Sequence, residues 1–221
     1  MSMLQHSADC YGELRVAPIG HGSVCLSWQE ETIVVDPYSA VADFSLLPPA
    51  TAILLTHDHY DHYDPQAIRA IARPETTLVA PPKTAERLRA DGFTQPVVTL
   101  ANGQSALYAG RIGIEAVPAY NILRERSAGV PFHPIGEGNG YLLTIGGRRI
   151  YIAGDTELIP EMRRLKPVDI AFLPQMLPYT MSEEEWIEAA KIIEPQYLYP
   201  YHFESVDRER LRKALPGIII R

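Results

Sequence analysis

The chain has 221 residues, of which 46% are hydrophobic and 21% charged, and a formal net charge of −7. That length suits one large domain or two small ones with a substantial core, and the composition is that of a globular protein rather than a disordered one. The acidic balance argues against a general nucleic-acid role, which draws on clustered Lys and Arg, and no apolar run approaches the roughly 20 residues that span a bilayer.

The opening stretch MSMLQHSADC lacks a basic segment followed by an apolar one, so neither secretion nor membrane association is expected. Cys10 and Cys25 are too few for a disulfide framework and read as free thiols in a reducing compartment. A cytoplasmic protein is expected. After the opening come three short β-rich runs, Glu13 to Ala17, Ser23 to Trp28 and Thr32 to Val35, punctuated by Gly20-His21-Gly22 and Asp36-Pro37. A fourth, Thr51 to Thr56, is almost wholly apolar, as a strand covered on both faces would be. Asp64-Pro65 then supplies an N-cap and a first-turn proline for a helix through about Ala72. The predicted elements continue as strand Thr77 to Ala80, helix Lys83 to Asp91 closed by Gly92, and strand Val97 to Leu100.

Leu107 to Val117 and Tyr141 to Ile152 read as hairpin-like pairs, the second turning at Gly146-Gly147. A short helix near Pro160 to Leu165 precedes strand Asp169 to Leu173. The helix from Ser182 to Ile193 is the best signalled, because Ser182 and Glu185 fit a capping box and Trp186, Ala189, Ala190 and Ile193 share one face. Strand Gln196 to Tyr199 and a final helix and strand complete the chain. The order is β-rich and then β/α, twice over, without a linker rich in Pro, Gly or Ser. One α/β domain over residues 1–221, built from two similar halves with two sheets packed together and helices outside, accounts for it most simply.

The chemistry concentrates in Leu55 to Asp64, LTHDHYDHYD, where three of the seven histidines and three carboxylates fall within ten residues. His57 leaves the C-terminal end of a buried strand, where α/β folds place ligands. His59, two residues on in an extended segment, shares its face, and Asp61 with His62 offers a carboxylate and an imidazole for a second ion. Imidazole with carboxylate at this density suits Zn, with Mn or Fe as alternatives, whereas Ca or Mg would take mostly oxygen ligands.

THDHYDH resembles the metal-binding signature of the metallo-β-lactamase superfamily. Gly20-His21-Gly22-Ser23 and Val35-Asp36-Pro37 resemble the opening of its small lactonase-like hydrolases, and Tyr151-Ile152-Ala153-Gly154-Asp155-Thr156 resembles the strand carrying their metal-bridging aspartate. Pro178-Tyr179-Thr180-Met181 and Tyr199-Pro200-Tyr201-His202-Phe203 resemble their last segments. The resemblance implies an αββα sandwich with one or two divalent metals, His57 and His59 on the first ion, Asp61, His62 and His202 on the second, and Asp155 between them.

The pattern departs at one place. The family usually carries a first-ion histidine in P-A-x-H, and this chain reads Val117-Pro118-Ala119-Tyr120-Asn121. Either the first site is looser, or another group completes it, or a single-metal enzyme uses mainly the second site. His133, twelve residues on in Phe132-His133-Pro134, could enter the site, contact substrate or do neither. Asp36 is either an acceptor that fixes a ligand histidine's tautomer or a strand-ending Asp-Pro turn. His21 between glycines reads as a pocket residue, Tyr60 and Tyr63 pack or line the cleft, and Arg124 and Arg126 could present a guanidinium to an anionic substrate.

A metal pair lowers the pKa of a shared water and polarises the bond under attack, with Asp61 orienting that water and taking its proton. The expected function is a metal-dependent hydrolase of a small molecule carrying a lactone, ester or related bond. Phosphodiesterase activity is the first alternative, and a non-catalytic metal-binding member of the fold is the second. A small-molecule substrate is expected, neither nucleic acid nor membrane is, and a homo-oligomer is left open.

Overall fold

The computed structural model describes residues 8–221; residues 1–7 of the stretch read above for a leader lie outside the description. The chain divides into two compact units, Met1–Ala101 and Asn102–Arg221. Each is a mixed β-sheet with helices.

In the first unit the strands β1 (Asp9–Tyr11), β2 (Leu14–Gly20), β3 (Ser23–Trp28), β4 (Glu31–Val35), β5 (Ala52–Leu54), β6 (Thr77–Ala80) and β7 (Val97–Thr99) lie side by side in chain order. β1 to β4 form an antiparallel meander, and β4 to β7 run parallel. Parallel neighbours need crossovers, and α1 (Pro65–Ile71) and α2 (Pro82–Ala90) supply two of them. α1 starts where the sequence places it: the Asp64 carboxylate accepts from the N–H groups of Gln66 and Ala67, and Pro65 occupies the first turn. Its buried face, Ala67, Ile68 and Ile71, packs with Val34, Ile53, Leu55 and Leu78.

The second unit repeats this plan. Strands β8 (Ser105–Tyr108), β9 (Ile112–Ala119), β12 (Gly138–Ile145) and β13 (Arg148–Ile152) are antiparallel neighbours. β13, β14 (Ile170–Gln175), β15 (Tyr197–Phe203) and β16 (Ile219–Ile220) continue the sheet in parallel. A two-stranded hairpin, β10 (Glu125–Ser127) with β11 (Val130–Pro131), interrupts the order between β9 and β12. α3 (Glu183–Ile193) carries both halves of the capping box at Ser182 and Glu185. It buries Trp186, Ala189, Ala190 and Ile193 against Leu173 and Leu198, and the Trp186 indole N–H donates to Leu173 O at 2.9 Å. α4 (Arg208–Ala214) ends the helical content.

The β/α order is as expected, with differences at the edges. β1 and the β10–β11 hairpin were not read from the sequence, because three-residue strands and exposed ladders carry little apolar alternation. The helix expected at Pro160 to Leu165 is a 3-10 segment, Pro160–Arg164. β15 runs past Tyr199 to Phe203, which places His202 inside a strand. Cys10 and Cys25 are both free, and burial pushes the Cys25 thiol up to about 11, so it is protonated near neutral pH. No helix among the described residues is long and apolar enough to cross a membrane.

Candidate metal centre

In the first unit one buried carboxylate organises the histidines. Asp36 follows β4 with φ +42°, a left-handed conformation unusual for a residue with a Cβ, and is fully buried. Its Oδ1 accepts from Thr56 N–H at 2.8 Å, and its Oδ2 lies 2.5 Å from Thr56 Oγ1 and 2.8 Å from His62 Nδ1. A carboxylate in this setting accepts, so the His62 proton sits on Nδ1 and its Nε2 carries the lone pair. The Thr56 hydroxyl gives its single hydrogen to Asp36 and can therefore only accept from His57 Nδ1, 3.0 Å away. His57 is thereby held in the same tautomer, and its Nε2 faces His59 Nδ1 at 3.0 Å. Burial raises the Asp36 carboxyl above its ordinary range against the lowering influence of His62 and Thr56.

His21, Asp61 and His62 bring ligand atoms within 4.8 Å of one another. His21 Nε2 lies 2.8 Å from Asp61 Oδ2, which is 3.8 Å from His62 Nε2. Gly22 explains the Gly-His-Gly turn: a Cβ there would stand 2.8 Å from His62 Cε1 and 3.0 Å from its Nδ1. Of the two tyrosines in the motif, Tyr63 is buried and donates to Asp91 at 2.7 Å, whereas Tyr60 is 75% exposed.

In the second unit Asp155 leaves β13 through Ala153 and Gly154, the latter at φ +66°. His202 is brought to it by a β-bulge. Pro174 pairs with Tyr201 and Gln175 with Phe203, so His202, at φ +49°, is the extra residue and is turned out of the ladder. Its Nε2 lies 3.2 Å from Asp155 Oδ2, and His133 Nε2 lies 3.3 Å from the same oxygen.

Asn121 is engaged at both ends of its amide. Nδ2 donates to Glu157 Oε1 at 3.1 Å and to Tyr179 O at 2.8 Å, while Oδ1 accepts from the His133 backbone N–H and lies 2.7 Å from His133 Nδ1. Both lone pairs of the oxygen are therefore directed at His133.

Glu157 was not singled out from the sequence, and it holds this whole corner. It is buried, and it accepts from the N–H groups of Ile122, Leu123 and Arg124 at 2.9, 2.9 and 2.7 Å. Burial pushes its pKa up, but these amides and that of Asn121 outweigh burial and hold it below the usual carboxylate range. Arg124, read as a candidate for an anionic substrate, instead pairs with Glu157 Oε1 at 3.2 Å and with Glu185 through both terminal nitrogens. Arg126 donates to Phe132 O at 2.8 Å.

A metal fits these donors on grounds internal to each unit. In the first, His57 and His62 are locked with Nε2 outward by acceptors on Nδ1, the arrangement that orients ligating imidazoles. In the second, a carboxylate oxygen is approached by two imidazole nitrogens, and the donor set of nitrogen with carboxylate oxygen is that of a transition-metal site.

A model of the beta-lactamase superfamily domain matches residues 31–203. The chain belongs to that superfamily. A UPF0173 metal-dependent hydrolase of Enterococcus faecalis is 31% identical over 198 residues, which cover 85% of this chain and 86% of that relative. A crystal structure from Parabacteroides distasonis, provisionally assigned as a metal-dependent hydrolase, aligns at TM-score 0.87 and 40% identity over 97% of each chain. A metallo hydrolase from Ignicoccus hospitalis aligns at TM-score 0.77 and 22% identity over 94% of each chain, a likeness of fold alone. Two mixed sheets with helices are the α/β architecture of these superfamily members, and the enzyme class is that of metal-dependent hydrolases.

Proposed function

We propose that the chain hydrolyses a lactone, ester or related bond in a small molecule, with His57, His59, Asp61, His62, Asp155 and His202 holding one or two divalent ions, Zn above Mn or Fe. The observation that carries this reading is the Asp36–Thr56 pair, a fully buried device that fixes His57 and His62 together in the tautomer a metal needs. A histidine serving only to pack has no use for such control.

When bound, such an ion acts as a Lewis acid toward a carbonyl oxygen and brings the pKa of water toward neutrality. The protein's own groups then handle protons and position. Asp61 accepts the proton of the attacking water, and its contact with His21 Nε2 at 2.8 Å aims the carboxylate and gives that proton a path to a partly exposed imidazole. As the new C–O bond forms and the ester C–O bond breaks, the proton returns to the leaving alkoxide. A carbonyl substrate is favoured over a phosphodiester because Arg124 is committed to two carboxylates and cannot clamp a phosphate. A non-catalytic role is disfavoured by the His21–Asp61 pair, which a purely structural metal site does not need.

The test is a panel of lactones, esters, thioesters and phosphodiesters assayed with metal-loaded protein and with Asp61→Ala. Hydrolysis of a carbonyl substrate that Asp61→Ala abolishes supports the reading. Activity confined to phosphodiesters, or unchanged by the substitution, overturns it.

A further inference from the structure

We infer that His133 is a metal donor standing in for the histidine that this chain lacks at position 121, and that Asn121 is the residue that positions it. The inference rests on the metal-dependent reading above and deepens it.

One chain of contacts, from Glu157 and Tyr179 through Asn121 to His133, fixes the tautomer of His133. Glu157 Oε1 and Tyr179 O are both acceptors, so the end of the Asn121 side chain that faces them is its NH2 group. The other end is the oxygen, which can only accept. His133 Nδ1, 2.7 Å from it, therefore carries the ring proton. In the neutral ring Nε2 is left with its lone pair, and that lone pair faces Asp155 Oδ2 at 3.3 Å. Two electron-rich atoms at this separation repel unless a cation lies between them or the ring is charged. With transition-metal bonds of roughly 2.0–2.2 Å, a nitrogen and an oxygen bound to one ion stand about 3 Å apart, close to the distance seen.

The surroundings are built to hold this arrangement. His133 N–H also donates to Asn121 Oδ1, and Asn121 N–H donates to His133 O at 2.9 Å, so the two residues are locked backbone to backbone as well as side chain to backbone. The segment 120–124 is stitched to the segment that carries Asp155. Glu157 N–H donates to Tyr120 O at 3.0 Å, and Tyr120 N–H donates to Thr156 Oγ1 at 3.2 Å. The β10–β11 hairpin thus spans the residues between the vacated position and its replacement. Asn121 is thus the outer partner of His133.

The experiment is a chelator-competition titration of the full chain loaded with Zn or Co(II), read as metal affinity and as the visible Co(II) spectrum. His133→Ala is expected to weaken one binding step by at least about 10–100-fold and change the Co(II) spectrum, and added imidazole should restore both. Asn121→Ala should weaken the same step by about 10–100-fold, as loss of an outer-sphere partner does, without rescue by imidazole. If Asn121→Ala does not fold, the 15N spectrum of His133 in metal-free wild type decides, a proton on Nδ1 sustaining the inference and a proton on Nε2 overturning it. Wild-type affinity in His133→Ala overturns this inference alone, whereas a wild-type chain that binds no metal overturns the functional reading beneath it.

Discussion

Gly22→Ala adds one methyl group next to His62 and should disable a metal site without substituting any metal donor. The added Cβ would stand 2.8 Å from Cε1, and reaching the 3.4 Å of ordinary contact requires a movement of about 0.6 Å. The ring has little room to give, since Nδ1 is held at 2.8 Å by a fully buried Asp36 and the ring itself is fully buried. The turn has little more, because Ser23, next to Gly22, donates from Oγ to Asp36 O at 2.6 Å. Metal–ligand distances tolerate only about 0.2 Å, so a displacement of this size removes His62 from coordination. The expected cost is roughly 1–3 kcal/mol of stability from overpacking and at least about a 10–100-fold loss of affinity at one site. Metal content after dialysis, chelator competition and apo-protein melting measure both. Gly113→Ala is the control, because its Cβ would meet Thr144 at 3.4 Å, an ordinary contact. Wild-type metal content and affinity in Gly22→Ala would refute the claim that His62 is a donor locked in place.

Asp36→Asn should lower metal affinity by about 10–100-fold while the metal-free fold stays intact by circular dichroism, since it removes the charge that fixes two imidazole tautomers; unchanged affinity would sink that role. Glu157 has a depressed pKa, so its contribution to stability is full above the ordinary Glu value of about 4.3 and is lost as pH falls through the folded value. The melting-temperature gap between metal-free wild type and Glu157→Gln should therefore shrink from pH 7 toward pH 3, and a gap that holds or widens would contradict the assignment. Trp186→Ala should cost about 3–5 kcal/mol in denaturant unfolding, because the ring is fully buried and its N–H is bonded to Leu173 O; a loss below about 1 kcal/mol would show that α3 is not anchored there.

What the sequence made legible is what local chemistry encodes. The α3 cap, the α1 start and the repeated order of β-rich and β/α segments all depend on residues within a few positions of one another, and each appears where the pattern put it. The spacing of His57, His59 and His62 and the place of Asp36 after an apolar strand marked out side chains that the structure links through Thr56 and through direct contacts. What escaped depends on backbone groups distant in the chain. Glu157 works through three main-chain N–H groups more than thirty residues away, which leave no mark in side-chain identity. His202 itself was expected, but not the bulge that turns it out of the ladder, whose register is set by the neighbouring strand. Arg124 looked like a candidate for substrate because its partners, Glu157 and Glu185, are remote in sequence.

Metal dependence itself is tested most directly by stripping the purified chain with a chelator, following hydrolysis of a responsive lactone or ester, and restoring one ion at a time. The protein as isolated should hold about one to two transition-metal ions per chain, lose turnover as they leave, and regain it on addition of Zn, Mn or Fe. Full turnover in the metal-free chain would contradict the account.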